Sequence, residues 1–379
     1  MVCGSYGVGD TGLNGPFVRG RREGLVEGLR VIEFQLSYSN SDGFLTRSKT
    51  FAQFALGSIG IAMRGRYDLL FATTTPLTAG IPGIFARWLR RKPFVFEVRD
   101  LWPELPRAMG VITSPVLLAL MSVLEWASYR SAHRLIGLSP GICQGIRKRG
   151  VANNRILMVP NGSDLCIFDD KAVVPWRPEG VREGDLMAIF TGTHGLANGL
   201  DAALDAAAVL QTRGRNDIKL VLVGDGKLKP QLKARAQEEG LKNVLFLDSV
   251  GKARLAQLMA AADLGMQILD NIPAFYYGTS PNKFFDYIAA GLPVLNNYPG
   301  WLADLINESG CGFPVPPNDP EAFANALICA ADDRGALAKM SLSARDLAAN
   351  RFDRARLAAQ WVNWVVDGIN PKCEAKESA

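Results

Sequence analysis

The feature that most constrains this chain is a repeated alternation of short, continuous apolar runs with longer amphipathic stretches. Residues 69–72, 94–98, 134–138 and 156–159 read as strands, as do 188–191, 219–223, 244–247, 264–268 and 293–296. Helical spacing fills the intervals at 77–89, 115–131, 200–212, 229–239, 252–261, 282–290 and 320–331. A strand that is apolar on both faces needs cover on both faces, and a helix after each strand supplies it. The pattern therefore predicts an α/β protein with parallel sheets. It runs twice, which predicts two Rossmann-like, doubly wound lobes. The stretch 170–185, interrupted by Pro175, Pro178 and Gly180, has the composition of a linker. It sets the expected lobes at 1–172 and 182–353. A last helical pattern over 354–366 carries Trp361 and Trp364, and region 354–379 is expected to pack back on the first lobe, ending in a polar tail. Met1-Val2-Cys3-Gly4 reads as the end of a strand, so the first lobe is expected to lack its first β–α unit.

Composition narrows the setting. Six scattered cysteines without a C-x-x-C pair and only two histidines support neither a disulfide framework nor a structural zinc site. The start has no apolar signal segment, and the most apolar helical stretch, 116–127, is broken by Ser122 and Glu125 and falls short of the ~20 residues that span a bilayer. The expectation is a cytoplasmic protein, at most peripheral on the inner face of the membrane, with no nucleic-acid partner. Residues 1–170 carry a net charge of +7 and 171–379 one of −2. A basic first half suits an anionic lipid surface, and equally a set of solvated arginines. The mix of Arg47 and Lys49 with Phe51, Phe54 and Leu56, and the run Arg90-Arg91-Lys92, allow the same two readings.

Four segments carry chemistry. In Gly278-Thr279-Ser280-Pro281-Asn282-Lys283-Phe284-Phe285-Asp286, a loop enters a helix whose free N–H groups and partial positive charge suit a diphosphate. Ser280 is expected to cap the helix or bond a phosphate oxygen, with Pro281 and Asn282 shaping the turn. Lys283 opposes the helix dipole, which points to an anionic ligand, and Asp286, one turn on, can accept hydrogen bonds from a ribose diol. In Gly192-Thr193-His194-Gly195, at the end of a strand, the glycines allow close backbone approach, and His194 is expected to contact ligand. Gly224-Asp225-Gly226 and the segment ending at Val250 follow the next two strands, along the edge where open α/β sheets bind ligands. In the first lobe, Glu97-Val98-Arg99-Asp100-Leu101-Trp102-Pro103-Glu104 follows a strand. Asp100 can orient or deprotonate a hydroxyl and Arg99 can clamp a phosphate, with Glu97, Trp102 and Glu104 beside them as acceptor-site candidates. A salt-bridged loop packed by Trp102 explains the same residues, and the sequence does not choose.

Taken in order, these segments resemble glycosyltransferase family 4 with its GT-B fold. Asp286-Tyr287-Ile288-Ala289-Ala290-Gly291-Leu292-Pro293-Val294 is similar to that family's late acidic motif, and Arg99-Asp100-Leu101-Trp102-Pro103-Glu104 to a motif of a bacterial branch that builds O-antigen and capsule. The resemblance covers nearly the whole chain. It implies a retaining glycosyltransferase that needs no metal or other cofactor and takes a UDP-sugar donor, an N-acetylated amino sugar in that branch. The implied acceptor is a glycan on undecaprenyl diphosphate, in lipopolysaccharide or capsule biosynthesis. By the same resemblance Asp100, Arg99 and His194 are catalytic. Gly192, Thr193, Gly195, Gly224, Gly226, Val250, Ser280, Pro281, Asn282, Lys283 and Asp286 bind the donor. Three positions depart from the family. Thr193 and Asn198 stand where it has Arg and Lys, and Thr279 stands where it has the first Glu of an acidic pair. These changes also fit a GT-B protein that binds a nucleotide sugar without turnover. A UDP-sugar 2-epimerase shares the fold but would call for more His and acidic groups than the cleft segments offer. A nicotinamide oxidoreductase is the weakest of these readings.

Overall fold

The computed structural model describes residues 1–6, 11–38, 42–168 and 173–369. Residues 170–172 of the expected linker and the polar tail from residue 370 lie outside them. The protein is α/β and divides into two compact units. One is Met1–Leu138, Ile142–Met158 and the residues from Asn363 on; the other is Ser139–Gly141 and Val159–Val362.

The first unit opens with β1 (Val2–Tyr6), β2 (Arg21–Val26) and β3 (Leu29–Tyr38), followed by α1 (Phe44–Arg64). These strands form a three-stranded sheet in the order β1-β3-β2, with β1 parallel and β2 antiparallel to β3. Next come β4 (Leu70–Thr73), α2 (Gly80–Leu89), β5 (Phe94–Val98), α3 (Glu104–Ala108), α4 (Pro115–Ser131), β6 (Arg134–Gly137), α5 (Pro140–Lys148) and β7 (Ile156–Met158). Their strands run parallel in the order β4-β5-β6-β7. Phe94, Phe96, Val98, Tyr129, Leu135 and Ile142 form the core between sheet and helices. Trp364 packs here too, its ring 4.4 Å below the Arg134 guanidinium.

The second unit is a single six-stranded parallel sheet. In chain order it has β8 (Leu186–Thr191), α6 (Asp201–Thr212), β9 (Ile218–Val223), α7 (Lys229–Glu238), β10 (Val244–Leu247), α8 (Lys252–Ala261), β11 (Leu264–Gln267), α9 (Pro273–Gly278) and α10 (Asn282–Ala289). It continues with β12 (Val294–Asn296), α11 (Trp301–Ser309), β13 (Gly312–Pro314), α12 (Pro320–Asp332), α13 (Arg334–Leu347) and the start of α14 (Arg354–Ile369), whose residues from Asn363 on belong to the first unit. The strand order β10-β9-β8-β11-β12-β13 is the 3-2-1-4-5-6 order of a Rossmann lobe. Every residue of β8 is buried, as expected for a central strand covered on both faces. The order reverses between β8 and β11, so the loops after those strands diverge and leave a crevice at the sheet's carboxyl edge.

The chain passes from the first unit to the second at Val159, earlier than the linker composition suggested. Residues 159–168 are held by hydrogen bonds to the second unit: Asn161 N donates to Ser280 Oγ (3.1 Å), and Ser163 Oγ donates to Asp286 Oδ1 (2.8 Å). The segment 173–185 that reads as a linker belongs to the same unit. There Trp176 N donates to Gln257 O, and the Arg254 guanidinium lies 3.4 Å over the Trp176 ring.

Candidate active site

Three loops of the second unit converge at the carboxyl edge of its sheet. The turn after β8 begins at Gly192 (φ +148°) and the turn after β9 at Gly224 (φ +145°), angles that favour glycine. The two turns touch backbone to backbone: a Cβ built on Gly224 would lie 1.9 Å from the Gly192 carbonyl oxygen. Gly226 (φ +156°) is equally confined, since its Cβ would meet the His194 carbonyl at 2.5 Å. His194 N donates to Asp225 O (2.9 Å) and Leu228 N to His194 O (3.0 Å), so the two turns are stitched together. The third loop leads into α10. Lys283, in that helix's first turn, reaches across to the first loop: its Cε would be 3.4 Å from a Cβ on Gly192.

Lys283 is the centre of this cluster. Its ammonium donates to Asn198 Oδ1 (2.6 Å) and stands 4.3 Å from the centroid of the Phe190 ring. Asn198 in turn donates from Nδ2 to Thr193 O (2.6 Å), which orients its oxygen towards the lysine. Burial alone pushes the Lys283 pKa down to about 7. A cation held in a dry place, at a helix N-terminus that also repels it, is stabilised by an incoming anion. Asn198, where the sequence comparison noted only the loss of a basic residue, is thus the lysine's neutral partner.

Ser280 does not cap α10. Pro281 occupies the N-cap position with no side-chain cap, and the Ser280 hydroxyl is taken up by Asn161 N. Asn282 is exposed at the first position of the helix. Asp286, one turn in, is partly buried, and burial raises its pKa while the Ser163 hydroxyl opposes the rise. Thr193 is exposed and Gly195 half-buried on the rim of the first loop. Val250, half-buried between β10 and α8, lies in a loop tied to the Gly224 turn by Lys229. That buried ammonium donates to Gly224 O (2.8 Å), Leu247 O (2.9 Å) and Asp248 Oδ1 (2.6 Å). Asn161 and Ser163 escaped the sequence reading because their partners lie far away along the chain.

His194 is corrected by the structure. Its ring has no exposed surface and packs between Phe190 (centroids 6.0 Å) and Phe246 (6.2 Å). Burial, with Lys229 adding to it, pushes its pKa down to about 4, so the ring is neutral at physiological pH. The imidazole is neutral and enclosed, with neither ring nitrogen hydrogen-bonded among the described residues, so it is not the exposed contact group expected. Its part here is to seat the Gly226 turn through its backbone.

A cavity of about 390 Å³ opens beside the first loop, lined by Leu196, Gly199, Asp270, Asn271, Asn297 and Asp319 among others. It sits where the loops after β8 and β11 part, and Asp270 N donates to Ala197 O (3.0 Å) at its wall.

In the first unit, Asp100 Oδ2 accepts from the Thr75 hydroxyl (2.9 Å), and burial raises its pKa. Thr73 Oγ1 donates to Glu97 Oε1 (2.8 Å), and Arg99 makes a long ion pair with the same oxygen (3.4 Å). Arg99 N donates to Thr74 Oγ1 (2.8 Å). The Trp102 indole N–H is buried without a hydrogen-bond partner, and Glu104 is exposed in the first turn of α3. The structure brings Glu97, Arg99 and Asp100 together at the end of β5 with three threonines of the segment after β4.

Comparison with known proteins fits this geometry. Residues 186–333 match the family described as "Glycosyl transferases group 1", and residues 9–162 match the "Glycosyl transferase 4-like domain". The probable glycosyltransferase WbjE of Pseudomonas aeruginosa is 25% identical over 79% of this chain and 76% of its own length. The UDP-Gal:alpha-D-GlcNAc-diphosphoundecaprenol alpha-1,3-galactosyltransferase of Escherichia coli is 28% identical over 52% of this chain and 51% of its own. Among solved structures, HepE of Anabaena in complex with UDP superposes with a TM-score of 0.64 at 19% identity, over 89% of this chain and 86% of that one. The chain is a glycosyltransferase of the GT-B fold, with a glycosyl transferase 4-like domain followed by a group 1 glycosyl transferase domain.

Proposed function

We propose that this glycosyltransferase moves a sugar, an N-acetylated amino sugar, from a UDP-sugar to a glycan on an undecaprenyl diphosphate carrier. It would act with retention at the anomeric carbon and without a metal, in cell-surface polysaccharide or lipopolysaccharide biosynthesis at the cytoplasmic face of the membrane. The observation that carries the donor half is the half-buried Lys283 at the N-terminus of α10, facing the Gly192 turn and held by uncharged groups, the Asn198 amide and the Phe190 ring. A diphosphate there would meet the lysine, the free N–H groups of the helix and the glycine-lined backbone of Gly192 and Gly224. Asp286, with Ser163 beside it, is assigned to the ribose hydroxyls. When the bond between the anomeric carbon and the diphosphate breaks, the negative charge left on the diphosphate is met by these fixed groups, as in other preorganised electrostatic sites. In the first unit, Asp100 is assigned to the acceptor hydroxyl, with Arg99 and Glu97 next to it and Trp102 and Glu104 flanking. The acceptor class is supported by the diphosphoundecaprenol in the name of the E. coli relative.

The test is a donor screen read by released nucleoside diphosphate, with membrane extract as acceptor source and chelator present throughout. Turnover with a UDP-sugar in chelator, and an axial or equatorial product linkage matching the donor's, support the reading. Release of a different nucleotide, or dependence on added metal, refutes it.

A further inference from the structure

The parallel ladder of β9 and β10 runs in register to Val223 and Leu247, and Gly224 N adds a bond to Leu247 O (3.2 Å). Beyond that point the two chains part. One enters the Gly224-Asp225-Gly226 turn, and the other enters the four-residue loop 248–251 that leads to α8. Lys229 continues the ladder with a side chain. It is the first residue of α7 and is 5% exposed. Its ammonium places all three donors on this joint: one on Gly224 O (2.8 Å), one on Leu247 O (2.9 Å) and one on Asp248 Oδ1 (2.6 Å).

The position is unfavourable for a cation. Burial strips the ammonium of water, and the N-terminal end of α7 repels it. A methionine of nearly the same length would fill the space without a charge, so the three acceptors are what the lysine serves. Its counter-charge Asp248 is 92% exposed, so the pair is lopsided: a buried cation reaches out and holds a surface carboxylate. The hydrogen bond from Lys229 lowers the Asp248 pKa, which keeps that carboxylate charged. The far end of the loop is fixed where α8 begins at Lys252.

This joint matters for how a nucleotide is read. A nucleoside diphosphate placed as proposed above has its phosphates against the Gly224 turn and its ribose at Asp286. The base is then left for the same edge of the sheet, where loop 248–251 stands. Phosphate binding needs the turn alone. Reading the base needs the turn and the loop at a set separation, and the Lys229 ammonium ties one to the other.

We propose that Lys229 is a positioning residue for nucleobase selection: it touches no substrate, and it holds the Gly224 turn and loop 248–251 at the spacing that admits one size of base. This rests on the donor reading above and deepens it by naming what sets the base preference. The test is titration calorimetry of the full-length protein with UDP, with the purine nucleotide GDP and with inorganic pyrophosphate. The wild type is expected to prefer UDP. Lys229→Met should weaken UDP about tenfold, narrow the UDP-over-GDP ratio by about the same factor, and change pyrophosphate by less than about twofold. Lys229→Arg, which keeps the charge and the donors, should recover part of that ratio. Asp248→Ala, at an exposed position, loosens only the loop side of the joint and should narrow the ratio about threefold at an unchanged thermal midpoint. It decides the matter if the methionine variant does not fold. An unchanged ratio in Asp248→Ala, or UDP and pyrophosphate weakened in parallel by Lys229→Met, overturns the proposal and leaves Lys229 a cross-link for stability. A wild type that binds neither nucleotide overturns the donor reading as well, and that failure is told apart because it appears before any substitution.

Discussion

With Lys283 on the diphosphate, as proposed, nucleotide binding becomes a proton-coupled event. In the free protein its pKa is about 7, so near neutrality half the molecules carry a neutral amine. A diphosphate against the ammonium favours the charged form and returns the pKa towards the ordinary lysine value of about 10.4. Binding then takes up a proton wherever pH lies between the two values. At pH 8 the free amine is about one-tenth protonated and the bound one almost fully, an uptake of about 0.9 proton. Raising the pH from 7 to 8.5 should weaken UDP about fifteenfold, or about 1.6 kcal/mol, because the neutral free form must first be charged. For folding the sign is the same as for any depressed lysine: the unfolded chain holds its proton longer, so the ligand-free protein gains stability as pH rises from about 7 to about 10. Titration calorimetry in two buffers of different ionisation enthalpy measures the proton directly. Lys283→Met should abolish the uptake and flatten the pH dependence. A wild-type affinity constant between pH 7 and 8.5, without proton uptake, would refute the reasoning and remove Lys283 from the diphosphate.

Other outcomes follow from the same geometry. Gly224→Ala places a Cβ inside the Gly192 carbonyl and should cost about 4 kcal/mol or more, a fall of roughly 10 °C in thermal midpoint. Gly214→Ala, also at positive φ (+72°) but with open space around it, should cost only about 1 kcal/mol, and equal losses would show that the close approach is not the cause. Asp286→Asn should weaken UDP by about tenfold or more while leaving inhibition by inorganic pyrophosphate unchanged, as competition assays would show. Glu125, whose pKa burial raises to about 7, contributes stability that is full below about pH 4.5 and lost as pH rises through 7. Calorimetric unfolding of Glu125→Gln across that window should show the slope removed.

The second unit was largely legible because its strands are buried on both faces. Runs such as 186–190 and 220–223 are apolar without interruption, and the helix at Asn282 announces itself by its loop and by Gly291 after it. Of the sheet of β1 to β3 only β1 was legible, as the strand at residues 1–4, since Arg22, Glu23 and Glu33 break the apolar period of the other two. The structure resolves Glu33 as a buried carboxylate paired with Arg22 (2.8 Å), which no local pattern signals. His194 between glycines reads as an exposed group because the ring that encloses it, Phe246, comes from β10, two strands later. Ser163 and Asp286 meet across 123 residues of sequence, and Asn161 and Ser280 across 119. Helix α4 misleads in the opposite way. Tyr129, Met121 and Leu124 do mark the core, but Val116, Leu120, Val123 and Trp126 are exposed while Glu125 and Ser128 are buried.

The contact of Gly192 with Gly224 also bears on how such a protein can change its diet. Gly224 has no room for a side chain, since a Cβ there would run into the Gly192 backbone, so its turn cannot be retooled without displacing the other. The wall proposed to face the phosphates is fixed as a single piece. Novelty in the sugar accepted must be written elsewhere, in replaceable side chains such as Asp270, Asn271 and Asn297 on the neighbouring cavity wall.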